Sequence, residues 1–413
     1  MTDVRTALVI GGGIAGPVTA MALQRIGVEA TVCEAYDSTA DGVGAALTIA
    51  PNGLNALRVL DADEAVRAVG IPTPRIVLQS GTGKVLGEVD DPPGLPTSLT
   101  VSRADLYRAL HEEATGRAVR VEHGRRLVSA EETGDGVTAH FADGSTARAD
   151  ILIGADGIRS TVRSLVDPDA PEPRYGGLLN FGGWTANPGL AAPGGAWHMV
   201  FGRRAFFGYL VQDDGRVMWF SNLPSRDPVT RAQMQATPPR EWLRRLRETY
   251  ADDDTPATRI LQRVSEEELL IVGPVEDMPT VPRWHRGRIV LVGDAAHATS
   301  PSSGQGASLA IESAVELARC LRDLPVAEAF DAYEGLRRAR VERVIANAAR
   351  TNSNKAAGPV ARVLRDLLLP VVLKHMLKPE KQTWLYAHRI DWDAPVTADV
   401  ASAVRFVTPT RGH

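Results

Sequence analysis

The sequence predicts an α/β protein in which a parallel sheet is interrupted by an inserted antiparallel sheet and followed by C-terminal helices. Three glycine-containing turns predict the parallel sheet, because each follows a short apolar run and precedes a helical pattern. These turns lie at residues 11–16, 154–157 and 293–297. Two stretches between them combine strand patterns with turn residues, and they predict the inserted sheet.

The first turn has the spacing of a Rossmann-type dinucleotide-binding loop. An apolar strand pattern at 6–10 is followed by a helical pattern at 14–27. Gly11 and Gly13 lie between the two patterns and Gly16 lies within the second, and together they occupy the G-x-G-x-x-G positions. Such glycines permit a tight turn, let the backbone approach a pyrophosphate, and let the helix pack close to the strand. The pyrophosphate would then lie at the helix N-terminus, where free N–H groups favour negative charge.

The second strand of this unit, at 28–34, ends in the carboxylate of Glu34. A carboxylate in this position accepts hydrogen bonds from ribose hydroxyls and disfavours a 2′-phosphate, so we expect the tightly bound nucleotide not to be NADP. Because strand, helix, strand and terminal glutamate occur together, a ligand-binding loop is favoured over a glycine-rich turn without a ligand.

The middle and late turns follow further apolar strand patterns. The pattern at 150–153 leads into Asp156-Gly157, a common turn pair. The pattern at 288–292 places Gly293 and Asp294 at the carboxyl end of the sheet, where ligands bind in open α/β folds. His297 follows, either as a catalytic base or as a side chain that ties down the loop; we favour the second interpretation.

Composition excludes several classes of protein. The chain has 413 residues, of which 44% are hydrophobic, enough for two or three domains. Its formal net charge of −4 argues against nucleic acid as a partner. Cys33 and Cys320 are the only cysteines, so the sequence predicts neither a disulfide framework nor a zinc site, and we expect no bound metal.

The sequence also predicts a cytoplasmic protein without membrane contact. The first strand pattern begins close to Met1, which leaves no room for a signal peptide. The most apolar late stretch, 360–373, is interrupted by Arg362, Asp366 and Pro370, so we expect a kinked helix packed on the protein. The two cysteines fit a reducing compartment.

These patterns divide the chain into three parts. The parallel-sheet domain is expected at 1–73, 95–168 and 280–350, the inserted sheet domain at 74–94 and 169–279, and a helical C-terminal segment at 351–413.

The ordered turns resemble the fingerprints of a known family, the single-component FAD-dependent aromatic hydroxylases, or p-hydroxybenzoate hydroxylase-like flavoprotein monooxygenases. The fingerprints correspond to residues 11–16, 150–163 and 293–307, with a fourth match at 101–106. The chain departs from the family at Ser308 and Glu312, where relatives often carry Asn and Asp. Both residues keep the capacity to form hydrogen bonds, so we still expect FAD to bind.

The resemblance implies which residues surround a non-covalently bound FAD. The arginine aligned with Arg103 contacts the flavin cofactor in the family, and Asp294 is placed to hold a hydroxyl of the ribityl chain. The expected set is Gly11, Gly13, Ile14, Ala15, Gly16, Glu34, Ala35, Arg103, Leu127, Asp156, Gly293, Asp294, Gly304, Gly306 and Ala307.

The resemblance further implies the reaction. NADPH or NADH reduces the flavin, O₂ then forms a C4a-hydroperoxide, and its distal oxygen passes to an electron-rich carbon of the substrate. Only one G-x-G-x-x-G segment follows a strand and opens a helix, so NAD(P)H is expected as a transient co-substrate. The protein would contribute orientation, electrostatics and exclusion of water.

The inserted sheet is expected to wall the substrate pocket. Aromatic residues make up only 5% of the chain, yet they cluster between residues 184 and 220. We expect Tyr209, Trp219 and Pro301 to lie beside the substrate. Arg203 and Arg204 are the candidates for binding a substrate carboxylate, but the working prediction is a neutral phenolic, polycyclic or polyketide-like molecule of secondary metabolism.

Other functions share these motifs. A Baeyer–Villiger or epoxidising flavin monooxygenase would carry all of them, and only its product would distinguish it. A flavin halogenase is disfavoured because its W-x-W-x-I-P stretch is missing from the sequence. A non-catalytic protein that binds FAD and an aromatic ligand is the remaining alternative, although no partner or DNA-binding domain is recognisable.

Overall fold

The computed structural model describes residues 3–38, 46–191, 194–355 and 379–397. Its strands are β1 (Thr6–Ile10), β2 (Glu29–Cys33), β3 (Ala46–Ile49), β4 (Ile71–Pro72), β5 (Arg75–Ser80), β6 (Val85–Asp90), β7 (Leu99–Ser102), β8 (Arg120–Glu122), β9 (Leu127–Thr133), β10 (Gly136–Phe141), β11 (Thr146–Ala149), β12 (Ile151–Gly154), β13 (Arg174–Ala186), β14 (Ala196–Phe201), β15 (Phe206–Val211), β16 (Arg216–Pro224), β17 (Leu270–Asp277), β18 (His285–Arg286) and β19 (Ile289–Leu291).

The helices are α1 (Ala15–Arg25), α2 (Pro51–Val59), α3 (Asp63–Val69), α4 (Arg103–Gly116), α5 (Thr161–Val166), α6 (Arg231–Ala236), α7 (Pro239–Tyr250), α8 (Ala257–Arg263), α9 (Asp294–His297), α10 (Gly306–Asp323), α11 (Val326–Lys355) and α12 (Pro379–Tyr386). A 3₁₀ turn (Pro301–Ser303) precedes α10.

The predicted parallel sheet has six strands in the order β18-β19-β12-β1-β2-β8. β1 pairs in parallel with both β2 and β12, so the order of the strands reverses beside β1. Open α/β sheets bind their ligands at such a switch point, outside the carboxyl ends of the strands. All three glycine-containing turns follow strands of this sheet, namely β1, β12 and β19, and therefore meet at one edge.

Burial explains why these strands read as continuous apolar runs. β12 is buried along its whole length, as parallel strands are when helices cover both faces of a sheet. α10 is buried on nearly every side because it packs against α1, α2 and α11.

β9, β10 and β11 form a small antiparallel sheet that the sequence patterns did not predict.

The inserted segments together form a seven-stranded sheet in the order β17-β13-β16-β15-β14-β5-β6. The α/β fold with an inserted sheet is therefore confirmed, with one local exception: β5 runs parallel to β14, whereas the other pairs are antiparallel. The expected domain boundaries stay a prediction.

The two faces of this sheet have different neighbours. One face, called here the outer face, packs on helices α7 and α8. Phe207 and Trp219 of the sheet share one apolar cluster with Trp242 of α7. The other, called the inner face, carries Trp197, Leu210 and Met218 and contacts side chains of β3 and β4. The inner face therefore faces the three-stranded sheet β3-β7-β4, whose Ile49 and Val101 belong to the core of the parallel-sheet body.

The C-terminal residues of the described chain pack on α10 and α11. Arg319 donates to the backbone carbonyls of Asp391 and Ala394, and Arg340 donates to those of Trp384 and Leu385. Part of the expected C-terminal helical segment, including 360–373, lies outside the described residues. In the portion that the structure describes, no helix is both long and apolar enough to cross a membrane.

Candidate cofactor and substrate site

The glycine loop between β1 and α1 is closely packed. A Cβ atom on Gly11 would lie 2.5 Å from the carbonyl oxygen of Ala155, and one on Gly16 would lie 1.9 Å from the carbonyl oxygen of Gly11. Gly11 also has a φ of +106°, which disfavours other residues. Ile14 and Ala15 follow at the start of α1, which has no side-chain cap among the described residues. Its first N–H groups are therefore available to an anion.

Glu34 lies at the next strand end and is held by the backbone. Its Oε2 accepts from the N–H of Gly12 at 2.6 Å, and its Oε1 accepts from the N–H of Tyr36 at 2.9 Å. These bonds fix the carboxylate beside the glycine loop, where a ribose would reach it. Ala35 is half-buried next to it, and Leu127 is buried at the start of β9.

Asp156 joins the middle turn to the glycine loop. Its backbone abuts Gly11, while its carboxylate accepts hydrogen bonds from Ser160 Oγ and from the N–H of Val162 at the start of α5. The pKa of this carboxyl group is raised, because burial raises it more than the hydrogen bonds lower it. The nearby Arg163 is buried and donates to the carbonyl of Ala295, which ties the middle turn to the late one.

The late turn meets the first helix. A Cβ atom on Gly293 would lie 3.1 Å from the Cβ atoms of both Ala15 and Ala310, so the turn fits between α1 and α10. The next residue, Asp294, is exposed to solvent, although neighbouring protein atoms partly desolvate its carboxyl group. Desolvation there raises the pKa of its carboxyl group, and the positive charge of Arg103 opposes that rise.

The loop before α10 places the remaining expected cofactor residues. Gly304 adopts a left-handed conformation with φ of +60°, and Gly306 and Ala307 form the first residues of α10. α10 also starts without a side-chain cap among the described residues, so its N–H groups remain available to a ligand. Pro301 is exposed at the start of the 3₁₀ turn.

One face of α4 carries the expected Arg103 and two residues that sequence reasoning missed, Tyr107 and His111. Arg103, Tyr107 and His111 are spaced four residues apart and line the side of the glycine loop. Arg103 Nε donates to Tyr107 Oη at 2.8 Å, and Tyr107 Oη would lie 3.7 Å from a Cβ atom on Gly13. His111 Nε2 contacts the carbonyl oxygen of Gly12. The i, i+4, i+8 spacing after Arg103 was the available signal in the sequence.

His297 supports the structure rather than facing a ligand. It is buried against Trp284, and its Nε2 lies 2.8 Å from Ser313 Oγ. Burial, with the positive charge of Arg337, lowers its pKa to about 3. The geometry favours the interpretation of His297 as a side chain that holds its loop.

Two of the expected pocket residues lie on the wrong face of the inserted sheet. Trp219 stacks on Phe207 with ring centroids 5.7 Å apart, and both belong to the core beneath α7. Tyr209 is buried on the same outer face. The expectation that Tyr209 and Trp219 contact substrate is therefore corrected. Their sequence neighbours Leu210, Met218 and Phe220 point to the inner face instead, because side chains alternate along a strand.

Arg203 and Arg204 lie in the turn between β14 and β15, not on the inner face. The Arg204 guanidinium pairs with Asp252 and donates to the carbonyl of Glu248 at the end of α7. The side chain of Arg203 is exposed. Neither is placed to bind a substrate carboxylate between the two sheets.

These features fit an extended flavin dinucleotide. The glycine loop gives close backbone approach for a pyrophosphate, Glu34 offers a ribose acceptor, and Asp294 offers an acceptor for the ribityl chain on the far side of the loop. The N-terminus of α10 would face the flavin, where its positive dipole end favours a reduced, anionic ring. Among the described residues, no group of three or more His, Cys, Asp or Glu side chains could hold a metal ion.

Comparison with known proteins agrees with this reading. A sequence profile described as an FAD binding domain matches residues 3–348. An FAD-dependent urate hydroxylase of Klebsiella pneumoniae is 31% identical over 350 residues, which cover 83% of this chain and 88% of that protein. A 3-amino-4-hydroxybenzoate 2-monooxygenase of Streptomyces platensis is 34% identical over 356 residues, which cover 81% and 85%.

The fold has close counterparts among solved structures. HpxO of Klebsiella pneumoniae, in a crystal structure with FAD and uric acid, matches with a TM-score of 0.80 and 26% identity, over 94% of this chain and 98% of that one. The predicted cofactor, FAD, and the predicted enzyme class, an FAD-dependent oxidoreductase, are confirmed by these matches. The chain belongs to the family of single-component FAD-dependent aromatic hydroxylases.

Proposed function

We propose that this protein is an NAD(P)H- and O₂-dependent monooxygenase that hydroxylates a neutral aromatic or polyketide-like small molecule. The observation that carries the proposal is the aromatic inner face of the seven-stranded sheet, which lies toward the cofactor-binding body. Curated relatives named for hydroxylation of urate and of an aminohydroxybenzoate support the reaction class.

The chemistry of the inner face favours a flat, apolar substrate. Trp197 and Phe220 meet edge to face with centroids 5.5 Å apart, and Phe206 lies 6.0 Å from Phe220. The polar groups nearby include an amide pair, in which Asn222 donates to Asn180 at 3.1 Å. Apolar walls with a few hydrogen-bonding groups are typical of pockets for neutral aromatic ligands. The positions of Arg203 and Arg204 argue against recognition of a carboxylate.

The anchoring of the inner face would fix the pocket. Trp197 Nε1 donates to Thr100 Oγ1 at 2.7 Å, and Thr100 lies on β7, which leads directly into Arg103. This hydrogen bond joins the substrate wall to the strand that leads into Arg103, an expected cofactor residue. A small displacement of substrate relative to cofactor lowers rates steeply, so a rigid joint here favours catalysis.

Bound FAD would supply the redox and oxygen-transfer chemistry. The chain itself would hold the cofactor at the glycine loop and at Asp294, stabilise negative charge on the flavin through the α10 N-terminus, and exclude water with the inner face. NAD(P)H would bind transiently, since the sequence has a single dinucleotide-binding glycine loop.

The test begins with a ligand screen that reads the absorption of bound flavin, followed by NAD(P)H oxidation with each ligand found. We expect a neutral aromatic ligand to perturb the flavin spectrum and to stimulate O₂-dependent NAD(P)H oxidation. Phe220→Ala on the inner face should weaken ligand binding, whereas Tyr209→Phe on the outer face should not. Ligand binding without stimulated oxidation would instead favour a non-catalytic binding protein, and ring-expanded or epoxide products would favour those alternative activities.

A further inference from the structure

The phenol of Tyr107 has an unusual position for a residue outside the recognised motifs. It is half-buried on α4, one helical turn after Arg103, and its oxygen lies beside Gly13 at the mouth of the glycine loop. Gly13 occupies the position where the backbone approaches a pyrophosphate. The Tyr107 oxygen is therefore within reach of the same part of the cofactor.

Within the described chain, the phenolic hydrogen of Tyr107 is left as an unused hydrogen-bond donor. Its oxygen accepts from Arg103 Nε at 2.8 Å, so the phenolic hydrogen cannot be used in that bond. The described residues offer this hydrogen no acceptor. A phenol is both donor and acceptor, so Tyr107 can accept from Arg103 and donate to a phosphate oxygen at the same time.

Tyr107 also fixes the guanidinium of Arg103. The central carbon of that guanidinium lies 5.2 Å from the centroid of the Tyr107 ring, in a cation–π arrangement. With Nε bonded to the phenol, the Nη groups of Arg103 remain for other partners. The charge of Arg103 reaches Asp294, whose pKa it lowers against the larger effect of burial. Arg103 is therefore close enough to the late aspartate to act on its charge, while it contacts Tyr107 beside the glycine loop.

We propose that Tyr107 is a cofactor-binding residue that donates a hydrogen bond to the pyrophosphate of FAD and positions Arg103 for the same group. The proposal rests on the cofactor alone and goes beyond the proposed reaction, so it would survive a failure to find hydroxylation. α4 then forms a third wall of the dinucleotide cleft, in addition to α1 and the late turn. His111 extends this wall by contacting the Gly12 carbonyl.

The test uses Tyr107→Phe, which keeps the ring and removes the hydroxyl. FAD is removed from the full-length holoprotein, and the dissociation constants of FAD, ADP and riboflavin are measured by titration of the apoprotein. We expect FAD and ADP to bind about 10- to 100-fold more weakly, the range for loss of a hydrogen bond to a charged group. Riboflavin, which has no phosphate, should bind with unchanged affinity.

Tyr175→Phe is the matched control. It also removes a phenolic hydrogen bond, from Tyr175 Oη to the carbonyl of Ser225, but on the inserted sheet. FAD affinity should be unchanged in this variant. Unchanged FAD and ADP affinity in Tyr107→Phe would overturn the proposal. So would an equal loss for all three ligands, because that result indicates a general structural role.

A double-mutant cycle tests the positioning of Arg103. If Tyr107 acts partly through Arg103, Tyr107→Phe should weaken FAD binding less in an Arg103→Gln background than in the wild type. Strict additivity of the two substitutions would contradict the positioning role. If wild-type apoprotein bound no FAD at all, the cofactor assignment itself would fail, which is a distinguishable outcome.

Discussion

Replacing Gly16 or Gly13 by alanine separates the two tasks of the glycine loop, which are to pack a helix and to approach a ligand. A Cβ atom on Gly16 would lie 1.9 Å from the Gly11 oxygen, whereas ordinary contacts begin at 3.4 Å. The strand-to-helix turn would have to open by about 1.5 Å to accept Gly16→Ala. At Gly13, the nearest atom to a new Cβ is Tyr107 Oη at 3.7 Å, so alanine meets no clash within the protein.

The two variants should therefore fail differently. Overpacking of a buried site costs about 1–3 kcal/mol, so Gly16→Ala should destabilise the apoprotein by about that amount and lower its melting temperature by several degrees. Gly13→Ala should leave apoprotein stability within about 0.5 kcal/mol of the wild type. It should still weaken FAD binding, because its methyl group would stand where the backbone meets the pyrophosphate.

The assay is thermal melting of apoprotein and of FAD-saturated protein, combined with titration of FAD. The reasoning would be refuted if apoprotein of Gly16→Ala melted like the wild type, or if Gly13→Ala bound FAD with wild-type affinity. Gly116→Ala, with no atom near its would-be Cβ, is the control for the loss of a glycine.

Three further predictions follow from charged and titratable groups in and around the cofactor site. Because neighbouring protein atoms desolvate the Asp294 carboxyl group and raise its pKa, its ionised form is disfavoured in the folded apoprotein at neutral pH. Asp294→Asn should therefore raise the apoprotein melting temperature slightly and weaken FAD binding in titrations. Burial is the main cause that lowers the pKa of His297 to about 3. Between pH 6.5 and pH 3 the folded state therefore binds fewer protons than the unfolded state, so the stability of the wild type should fall as the pH drops through this range. His297→Gln should flatten that loss in denaturant unfolding and leave the pH dependence of NAD(P)H oxidation near neutrality unchanged. Glu312 is fully buried, and its carboxylate pairs with Arg337 at 2.6 Å. Glu312→Gln should lower the free energy of unfolding, measured with denaturant, by about 3–5 kcal/mol. A decrease below about 1 kcal/mol would contradict a buried pair.

The cofactor cleft could be predicted from the sequence because its requirements are local. Gly11 and Gly16 stand where a side chain would meet backbone atoms within a few ångströms, and short motifs record such positions. The strand before each turn was also visible, since buried parallel strands are apolar along their length. The α/β fold followed from these motifs in their order, and their resemblance to the fingerprints of the family implied FAD. The roles of the individual cofactor residues stay predictions.

The substrate wall could not be predicted to the same depth. Alternation along β15 and β16 separates Tyr209 and Trp219 from Leu210 and Met218, but it does not say which set faces the cofactor. Helix α7 covers the outer face with Trp242, which leaves the other face toward the cofactor. The position of α7 depends on tertiary packing, which the alternation of side chains along a strand does not reveal. Tyr107 escaped notice for a similar reason. Its spacing from Arg103 was visible in the sequence, but only the packing of α4 brings its side chain to the glycine loop.

The most direct test of the central claim is the fate of dioxygen during turnover. The purified protein is given NAD(P)H, isotopically labelled O₂ and an aromatic ligand identified by its effect on the flavin spectrum, and the product is analysed by mass spectrometry. The account predicts one labelled oxygen atom in a hydroxylated product, with NAD(P)H consumed in step with product. Bound FAD that yields only hydrogen peroxide and unlabelled ligand, with every ligand that binds, would contradict it.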